Sequence, residues 1–203
     1  MVFTGIIENT VGVHAITRDG GNVQIELSSP LATELKVDQS VAHDGCCLTV
    51  VAFGITADGR STYTVTAIEE TLKQTTIGQW QMGDLVNVER CMVANGRLDG
   101  HIVQGHVDGI GQVSRIETLD GSHVLHITHA NKEDFLTVNK GSITINGVSL
   151  TVVQSTSEGL SAAIIPYTWE HSNLCALQVG DSVNLEFDII GKYVARMLSA
   201  RRN

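Results

Sequence analysis

Apolar and polar residues alternate along most of the chain, in runs of four to six residues. A period of two is typical of β-strands that bury one face. The 20 glycines and several Asp-Gly pairs fall between these runs, as turn residues do. Many short strands at close spacing favour a barrel or a sandwich. The clearest predicted strands are Asn22–Leu27, Thr62–Ala67, Leu85–Glu89, His123–Thr128, Ser142–Ile145 and Val183–Phe187.

Helical spacing occurs in three segments, Pro30–Leu35, Lys132–Val138 and Ile189–Arg202. The first two occupy corresponding places in the two halves of the chain, whereas the third has no counterpart after the first half. Such a helix must bury its apolar stripe, either on its own barrel or on another subunit, and the sequence leaves both open. The stripe consists of Ile190, Tyr193, Val194, Met197 and Leu198.

The chain contains an internal repeat. Ser40–Val51 returns 102 positions later as Ser142–Val153, with six of twelve positions identical, and Met82–Glu89 returns 97 positions later as Val179–Glu186, with five of eight identical. Units of about 100 residues are too long for a solenoid, whose repeats span roughly 20–50 residues. We therefore expect two homologous barrels, over residues 1–97 and 98–187, a C-terminal helix over 188–203, and two similar pockets.

Composition excludes some classes of function. The net charge of −9 does not suit nucleic-acid binding, which requires clustered Lys and Arg. No apolar run approaches the roughly 20 residues of a membrane-spanning helix, and the N-terminus lacks the pattern of a signal peptide. The four cysteines form no C-x-x-C motif, and neighbouring Cys46 and Cys47 point to opposite faces of a strand. A cytoplasmic protein with reduced thiols is expected.

The densest group of polar side chains lies in residues 96–109. His101 and His106 are five residues apart, and Asp108 follows the second. On a strand this spacing places the histidines on opposite faces, which disfavours a shared metal and favours proton transfer. The alternative is a glycine-rich linker followed by a strand. By contrast, His123, His126 and His129 are interpreted as surface residues of a strand.

The repeated motif carries the second candidate site. Cys47-Leu48-Thr49 corresponds to Ser149-Leu150-Thr151, and alternation places the two polar residues of each copy on one face. Such a pair can hydrogen-bond the edge of a flat heterocycle. The alternative is a structural role, in which these side chains satisfy backbone groups at a bulge. The difference between Cys47 and Ser149 favours function, because a purely structural duplication gives no reason for it.

At these residues the chain resembles the riboflavin synthase family of lumazine-binding proteins, over nearly its whole length. The resemblance rests on motifs that occur in order, namely Phe3–Glu8, Ser40–Val50, Glu70–Leu72, Val86–Arg90, Gly100–Asp108, Lys140–Ser142, Gly147–Val152, Ile164–Thr168 and Val183–Asp188. It implies two six-stranded Greek-key β-barrels and a C-terminal helix through which three chains form a homotrimer.

The resemblance also implies a reaction. Two molecules of 6,7-dimethyl-8-ribityllumazine dismutate by four-carbon transfer, giving riboflavin and 5-amino-6-(D-ribitylamino)uracil, the last step of riboflavin biosynthesis. It implies no metal and no cofactor, with active sites between the N-terminal barrel of one subunit and the C-terminal barrel of its neighbour. The alternative is a non-catalytic antenna-type protein that binds lumazine or flavin. The polar residues retained in both halves favour the enzyme.

The resemblance assigns residues to two pockets. The N-terminal pocket is expected to use Phe3, Gly5, Ile6, Ile7, Cys47, Leu48, Thr49, Thr66, Ala67 and Ile68. The C-terminal pocket is expected to use His106, Val107, Asp108, Lys140, Ser149, Leu150, Thr151, Ile164, Ile165, Pro166, Tyr167 and Thr168. The expected catalytic residues are His101, His106, Ser149, Cys47 and Asp188, with His106 and Ser149 acting on donor and methyl protons and Cys47 and Asp188 on the acceptor ring. Asn146 and Tyr167 depart from the family pattern, in which Asp and His or Glu are commoner.

Overall fold

The first half of the chain forms a closed antiparallel barrel of six strands. The computed structural model describes residues 2–132 and 135–200. The strands pair in the order β1-β2-β5-β4-β3-β6, and β6 pairs with β1 to close the ring. Their bounds are β1 (Asn9–Asp19), β2 (Asn22–Ser28), β3 (Ser40–His43), β4 (Cys46–Ile55), β5 (Ser61–Ala67) and β6 (Leu85–Arg90).

The second half repeats this topology, with the order β7-β8-β11-β10-β9-β12 closed by the pairing of β12 with β7. The register shifts between strands are also repeated, because those at Val50/Ala52 and Val152/Gln154 lie at equivalent points of the two barrels. The predicted pair of six-stranded barrels is therefore confirmed. The strands are β7 (Gly109–Leu119), β8 (Ser122–Thr128), β9 (Ser142–Ile145), β10 (Val148–Ser155), β11 (Gly159–Ile164) and β12 (Ser182–Phe187).

The helical predictions have mixed outcomes. Pro30–Leu35 shortens to one 3₁₀ turn, Pro30–Thr33, and residues 135–138 of the second predicted helix are not helical, while 133 and 134 lie outside the described residues. The C-terminal helix is confirmed as α3 (Ile189–Ser199), and its predicted last two residues lie outside the described part. Two short helices were not predicted, α1 (Glu69–Gln74) and α2 (Pro166–Glu170), and 3₁₀ turns follow them at Thr76–Gln79 and Asn173–Ala176.

Each barrel has its own apolar core, and the core of the first barrel also contains a buried polar pair. In the first barrel the buried His43 ring lies 2.8 Å from the Tyr63 hydroxyl, measured from Nε2. The equivalent positions of the second barrel hold Ile145 and Leu160, both buried. Burial lowers the pKa of His43 to about 4, so the imidazole is neutral at pH 7.

The two barrels meet at a polar interface built from reciprocal contacts. The Asn87 side chain of β6 donates to the Asn146 carbonyl (2.9 Å), and Asn184 of β12 donates to the Asp44 carbonyl (2.9 Å). Most of β6 and β12 is therefore buried on both faces, and the prediction of half-buried strands at Leu85–Glu89 and Val183–Phe187 is wrong there. Alternation could not reveal this, because segments distant in sequence cover the outward side chains.

Two extended segments cross between the barrels, and we call residues 2–8 arm 1 and residues 102–108 arm 2. Phe3 and Val103 pair antiparallel where the arms meet, with N···O distances of 2.7 and 3.1 Å. Beyond this crossing Ile7 of arm 1 packs against the core of the second barrel, and Val107 of arm 2 packs against the core of the first. Each arm thus leads into one barrel in sequence and also contacts the other in space.

The C-terminal helix α3 leaves its apolar stripe largely exposed, with one edge along a cleft beside Leu136 and Val138. The five stripe residues are between 51 and 65 % exposed, and none of the described residues of α3 is buried. The face turned inward carries Lys192, whose ammonium group lies 2.6 Å from the Asp108 carboxylate. Burial of the stripe on its own barrel, one of the two positions left open by the sequence, is therefore not observed.

Candidate functional site

The repeated motif forms an outward-facing polar surface on each barrel. Cys47 and Ser149 are half-buried, and Thr49 and Thr151 are exposed. The leucines between them, Leu48 and Leu150, are only 6 % exposed because they point into the cores. The predicted alternation is thus observed, and we call these surfaces the Cys47 face and the Ser149 face.

Each polar face is covered in part by an arm. The Ser149 N–H donates to the Gly5 carbonyl (2.8 Å), and the Cys47 N–H donates to the Gly105 carbonyl (2.9 Å). A Cβ atom at Gly5 would lie 2.6 Å from the Ser149 Cβ, and one at Gly105 would lie 2.7 Å from the Cys47 Cβ. Glycine is required at both positions by this close approach and by φ angles of 77° and 76°.

These contacts group the predicted site residues differently from the resemblance. Gly5, Ile6 and Ile7 were expected beside Cys47, but arm 1 carries them to Ser149. His106 and Val107 were expected beside Ser149, but they belong to the arm that covers Cys47. The physical reason is the crossing of the arms at Phe3 and Val103, which places each arm against the motif of the other repeat.

Three of the predicted catalytic residues lie close together at the Ser149 face. His101 Nδ1 is 2.7 Å from Ser149 Oγ, and the His101 N–H donates to the Thr4 carbonyl (3.1 Å). Burial lowers the pKa of His101, and the Asp188 carboxylate opposes this effect. Asp188 is held in turn at the start of α3, where it accepts from the Ile190 N–H (2.9 Å). A neutral imidazole in contact with a hydroxyl can take up a proton through it.

The equivalent environment at the Cys47 face is less polar. Cys47 and Cys91 pack against a small buried cluster of Phe3, Ala42 and Val103. Cys91 occupies the position that Asp188 holds in the second repeat. Burial raises the pKa of the Cys47 thiol, which disfavours the thiolate.

A shallow cleft opens beside Ser149, between arm 1 and α2. Its volume is about 70 Å³, far below the roughly 300–1,000 Å³ of sites that enclose a drug-sized ligand. Its outer rim is apolar and open, with Ile6 48 % and Tyr167 67 % exposed. The lining residues are Gly5, Ile6, Ile7, Val148, Ser149, Tyr167, Thr168, His171 and Ser172.

Several residues assigned by the resemblance do not present their side chains to either face. Phe3, Ala67 and Ile164 are at most 1 % exposed, and with Leu48 and Leu150 they belong to the cores. Only their backbone groups are available to a ligand. Motif matching selects such residues because it carries over whole segments, whereas alternate residues of a strand point inward.

The remaining predicted residues lie on the surface around the two faces. Thr66 and Thr168 are half-buried, and Ile68, Ile165 and Pro166 are exposed at the starts of α1 and α2. His106 is exposed on arm 2, and Asp108 accepts from the Phe187 N–H (2.8 Å) besides its ion pair. Lys140 lies in an exposed turn with φ 67°, and its N–H donates to the Val152 carbonyl (2.8 Å) next to Thr151.

The histidines of β8 and the following loop differ from the prediction. His123 stacks on Trp169 with ring centroids 4.1 Å apart, and His126 is half-buried. His129 is only 8 % exposed and lies edge-on to Phe135 and Phe187. The interpretation as surface residues is wrong for His129, because Phe135 from the following loop and Phe187 from β12 cover it.

Two buried glutamates at the arms were not selected from the sequence. Glu89 of β6 accepts from the Thr4 and Gly5 N–H groups, and Glu186 of β12 accepts from three N–H groups of arm 2. The available signal was the Asn-x-Glu pattern shared by Asn87-Val88-Glu89 and Asn184-Leu185-Glu186. It was interpreted as the solvent face of a strand.

The fold and the two faces define a duplicated β-barrel protein with one outward polar surface on each repeat. The lumazine binding domain model matches twice, at residues 4–91 and 104–188. The chain is 37 % identical to riboflavin synthase of Actinobacillus pleuropneumoniae over 97 % of this chain and 90 % of that protein. It is 36 % identical to riboflavin synthase of Mycobacterium bovis over 97 % of this chain and 98 % of that protein. The chain therefore belongs to the riboflavin synthase family of enzymes and carries two lumazine-binding domains.

Solved structures agree on the fold. LumP in complex with 6,7-dimethyl-8-(1'-D-ribityl) lumazine superposes with a TM-score of 0.79 at 21 % identity, covering 91 % of this chain and 98 % of LumP. LumP in complex with riboflavin gives the same score and identity over 92 % of this chain and 99 % of LumP. At this identity the similarity concerns the architecture alone. Among the described residues no helix is long and apolar enough to cross a membrane.

Proposed function

We propose that this enzyme catalyses the dismutation of two 6,7-dimethyl-8-ribityllumazine molecules, giving riboflavin and 5-amino-6-(D-ribitylamino)uracil. The observation that carries the proposal is the pair of equivalent faces, each formed by one barrel and the arm that covers it. A reaction that consumes two copies of one molecule requires two sites that recognise the same ring. The names of the relatives at 36–37 % identity support the same reaction.

Positioning supplies much of the catalysis in this proposal. The methyl group at C7 of the lumazine is acidic because its carbanion delocalises into the ring, so modest proton transfer suffices. Holding two reactants in contact is worth about 7–11 kcal/mol of the barrier. A positioned proton carrier adds about 10²–10⁴-fold.

We assign the proton transfer to the Ser149 face. The His101 imidazole, in contact with Ser149 Oγ and near the Asp188 carboxylate, relays protons to and from the lumazine bound there. The Cys47 face binds the second lumazine, with Thr49 and His106 beside it.

The test is to incubate the purified protein with dimethyl-ribityllumazine and to follow riboflavin by its absorbance. We expect riboflavin and the aminouracil in equal amounts. A Ser149→Ala variant, which removes the relay hydroxyl but leaves Thr151, is the matched control. Stoichiometric binding without riboflavin formation would support the antenna-type alternative and overturn the proposed reaction.

We further propose that the active unit is a homotrimer in which each active site joins the two kinds of face from neighbouring subunits. The cleft at Ser149 is too small to enclose a lumazine, so the ligand needs a second surface to cover it. The exposed stripe of α3 needs a partner of its own, because five large apolar residues in contact with water are costly.

Sedimentation velocity tests the assembly. A Tyr193→Glu, Met197→Glu double variant is expected to give monomers without activity, because it charges the centre of the stripe. Arg196→Glu, on the polar side of the same helix, is expected to leave the trimer intact. A wild-type protein that is monomeric and active would overturn this proposal.

A further inference from the structure

Arm 1 and arm 2 are held by the two buried glutamates, and the arrangement is the same in both repeats. Glu186 Oε1 lies 2.6 Å from the Gln104 nitrogen, and Oε2 lies 2.9 Å from the nitrogens of Gly105 and His106. Glu89 Oε1 lies 2.7 Å from the Thr4 nitrogen and 2.6 Å from its Oγ1, and Oε2 lies 2.9 Å from the Gly5 nitrogen. Each carboxylate thus gathers three donors of one arm.

Only an acceptor with two free oxygens satisfies this arrangement. Both side chains are buried, with 5 and 3 % exposure for Glu89 and Glu186, so water cannot replace them. A glutamine in the same place would turn an NH₂ group towards backbone N–H groups that also donate. At least one of the three donors of the arm would then have no acceptor, and the arm would lose its fixed position.

Because the arms cross, each glutamate holds an arm that covers the polar face of the other barrel. Glu186 belongs to the last strand of the second barrel, but arm 2 places Gly105 on Cys47 of the first barrel. Glu89 belongs to the last strand of the first barrel, but arm 1 places Gly5 on Ser149 of the second. The carboxylate of one barrel is therefore coupled to the polar face of the other.

We infer that Glu186 and Glu89 are positioning residues with crossed targets, Glu186 fixing the Cys47 face and Glu89 fixing the Ser149 face. That these faces bind substrate rests on the proposed function, whereas the coupling itself is a property of the protein without ligand. Neither glutamate touches the faces directly, and each holds its face through its arm. In addition to burial, the Glu186 carboxylate also raises the pKa of the Cys47 thiol.

Thiol alkylation of the full chain without substrate tests the coupling. Wild type, Glu186→Gln and Glu89→Gln are treated with iodoacetamide, and the rate at each cysteine is measured by mass spectrometry, with fragment ions separating Cys46 from Cys47. In Glu186→Gln we expect Cys47 to be alkylated about tenfold faster or more, because the loss of the three hydrogen bonds releases Gly105. The rates are compared per thiolate, from their pH dependence, because in addition to burial the Glu186 carboxylate raises the pKa of the Cys47 thiol. Glu89→Gln is expected to stay within about twofold of wild type.

A reporter thiol gives the reciprocal measurement. In a Ser149→Cys background the label at position 149 is expected to accelerate with Glu89→Gln and not with Glu186→Gln. Buried Cys46 reports unfolding, and exposed Cys175 reports the activity of the reagent. A merely structural role of the glutamates would accelerate Cys46, Cys47 and the reporter together, without the crossed pattern.

The outcomes separate the two proposals. A crossed pattern without riboflavin formation would retain the coupling and overturn the proposed reaction. An uncrossed pattern, or equal rates in folded variants, would overturn the coupling whatever the activity. Should either glutamine variant fail to fold, Glu186→Asp and Glu89→Asp keep the charge and shorten the reach, and the same comparison decides. If these also fail to fold, the glutamates support the whole fold and the inference is wrong.

Discussion

The Cys47 face and the Ser149 face share one backbone and differ in their neighbours. Both present a small polar residue, an inward leucine and an exposed threonine, and both are covered by a glycine of a crossing arm. At Ser149 the surroundings are an imidazole and a carboxylate, whereas at Cys47 they are a second thiol and an apolar cluster. The duplication has kept the outward polar residues and has changed the ionisable groups beside them.

The same contrast extends inside the barrels and to their interface. A buried His43–Tyr63 pair in the first barrel stands where the second has Ile145 and Leu160. Asp44 lies in the turn between β3 and β4, and the equivalent turn between β9 and β10 has Asn146 in its place. Each difference places an ionisable group in one repeat alone. Each can therefore be tested by replacing the residue with its counterpart from the other repeat.

The largest expected effect concerns the two faces themselves. Ser149→Ala is expected to lower kcat by about 10³-fold, since it removes the hydroxyl next to the His101 base. Cys47→Ala is expected to lower kcat by about tenfold or less, because burial raises the pKa of that thiol and disfavours proton release. Initial rates of riboflavin formation at saturating substrate measure both, and equal losses would contradict the functional asymmetry.

The next effect concerns the interior of the first barrel. His43 has a pKa of about 4 in the folded protein against 6.5 for the unfolded side chain, so the unfolded chain binds more protons between these values. The contribution of neutral His43 to the free energy of unfolding is therefore fully present above pH 6.5. It decreases by roughly 3 kcal/mol as the pH drops towards 4.

The test is the double variant His43→Ile, Tyr63→Leu, which gives the first barrel the residues of the second. Urea denaturation at several pH values is expected to show a flatter profile between pH 6.5 and 4 than wild type, whatever the loss in absolute stability. Tyr63→Phe, which keeps the histidine, serves as the control that retains the slope. Parallel profiles for wild type and the double variant would refute this explanation.

A smaller effect is expected where the barrels meet. Burial raises the pKa of Asp44 from 3.8 to about 7, so the contribution of its protonated form to stability is lost as the pH rises between these values. Gly45 and Gly147 are in backbone contact here, and Asn146→Asp would place a second carboxyl near the first. We expect a loss of about 2 kcal/mol in the free energy of unfolding at pH 8 and much less at pH 5.

The reverse substitution, Asp44→Asn, is the control for Asn146→Asp. Asp44→Asn keeps the side-chain oxygen that accepts from the Asn87 N–H (2.8 Å) and removes the buried charge. No loss of stability is expected at pH 8, where urea denaturation compares the two variants. Asn146→Asp with the same stability as wild type at both pH values would show that the interface tolerates two acids.

The smallest effect sharpens the assignment of His101. Asp188→Asn keeps the cap at the start of α3 but removes the charge that favours imidazolium, so the pKa of His101 is expected to fall. The acid limb of the pH–rate profile would move to lower pH, because the neutral base persists further. NMR titration of the His101 ring protons, assigned with His101→Ala, measures the change. A rise in the pKa of His101 would exclude the proposed electrostatic effect of Asp188.

Much of the fold could be predicted because alternation and repetition are local patterns. The six predicted strands appear with bounds that differ by at most one residue at each end. The short helices α1 and α2 were missed because five or six residues are too few to show a helical period. For the same reason six residues could not distinguish an α-helix at Pro30–Leu35 from the single 3₁₀ turn that forms there. The residue types of the site were also within reach, since Cys47, Ser149 and Asp188 lie at or beside repeated motifs.

What the sequence by itself determined is the pair of barrels, the outward polar residues of each motif and the apolar stripe of α3, because each depends on neighbours a few positions away. The tertiary structure decided which arm covers which motif, and so which residues share a site. It also decided that Glu89 and Glu186 are buried, although their positions resemble a solvent face. Both outcomes depend on the crossing of residues 2–8 and 102–108, a contact between segments 100 residues apart that no local period records.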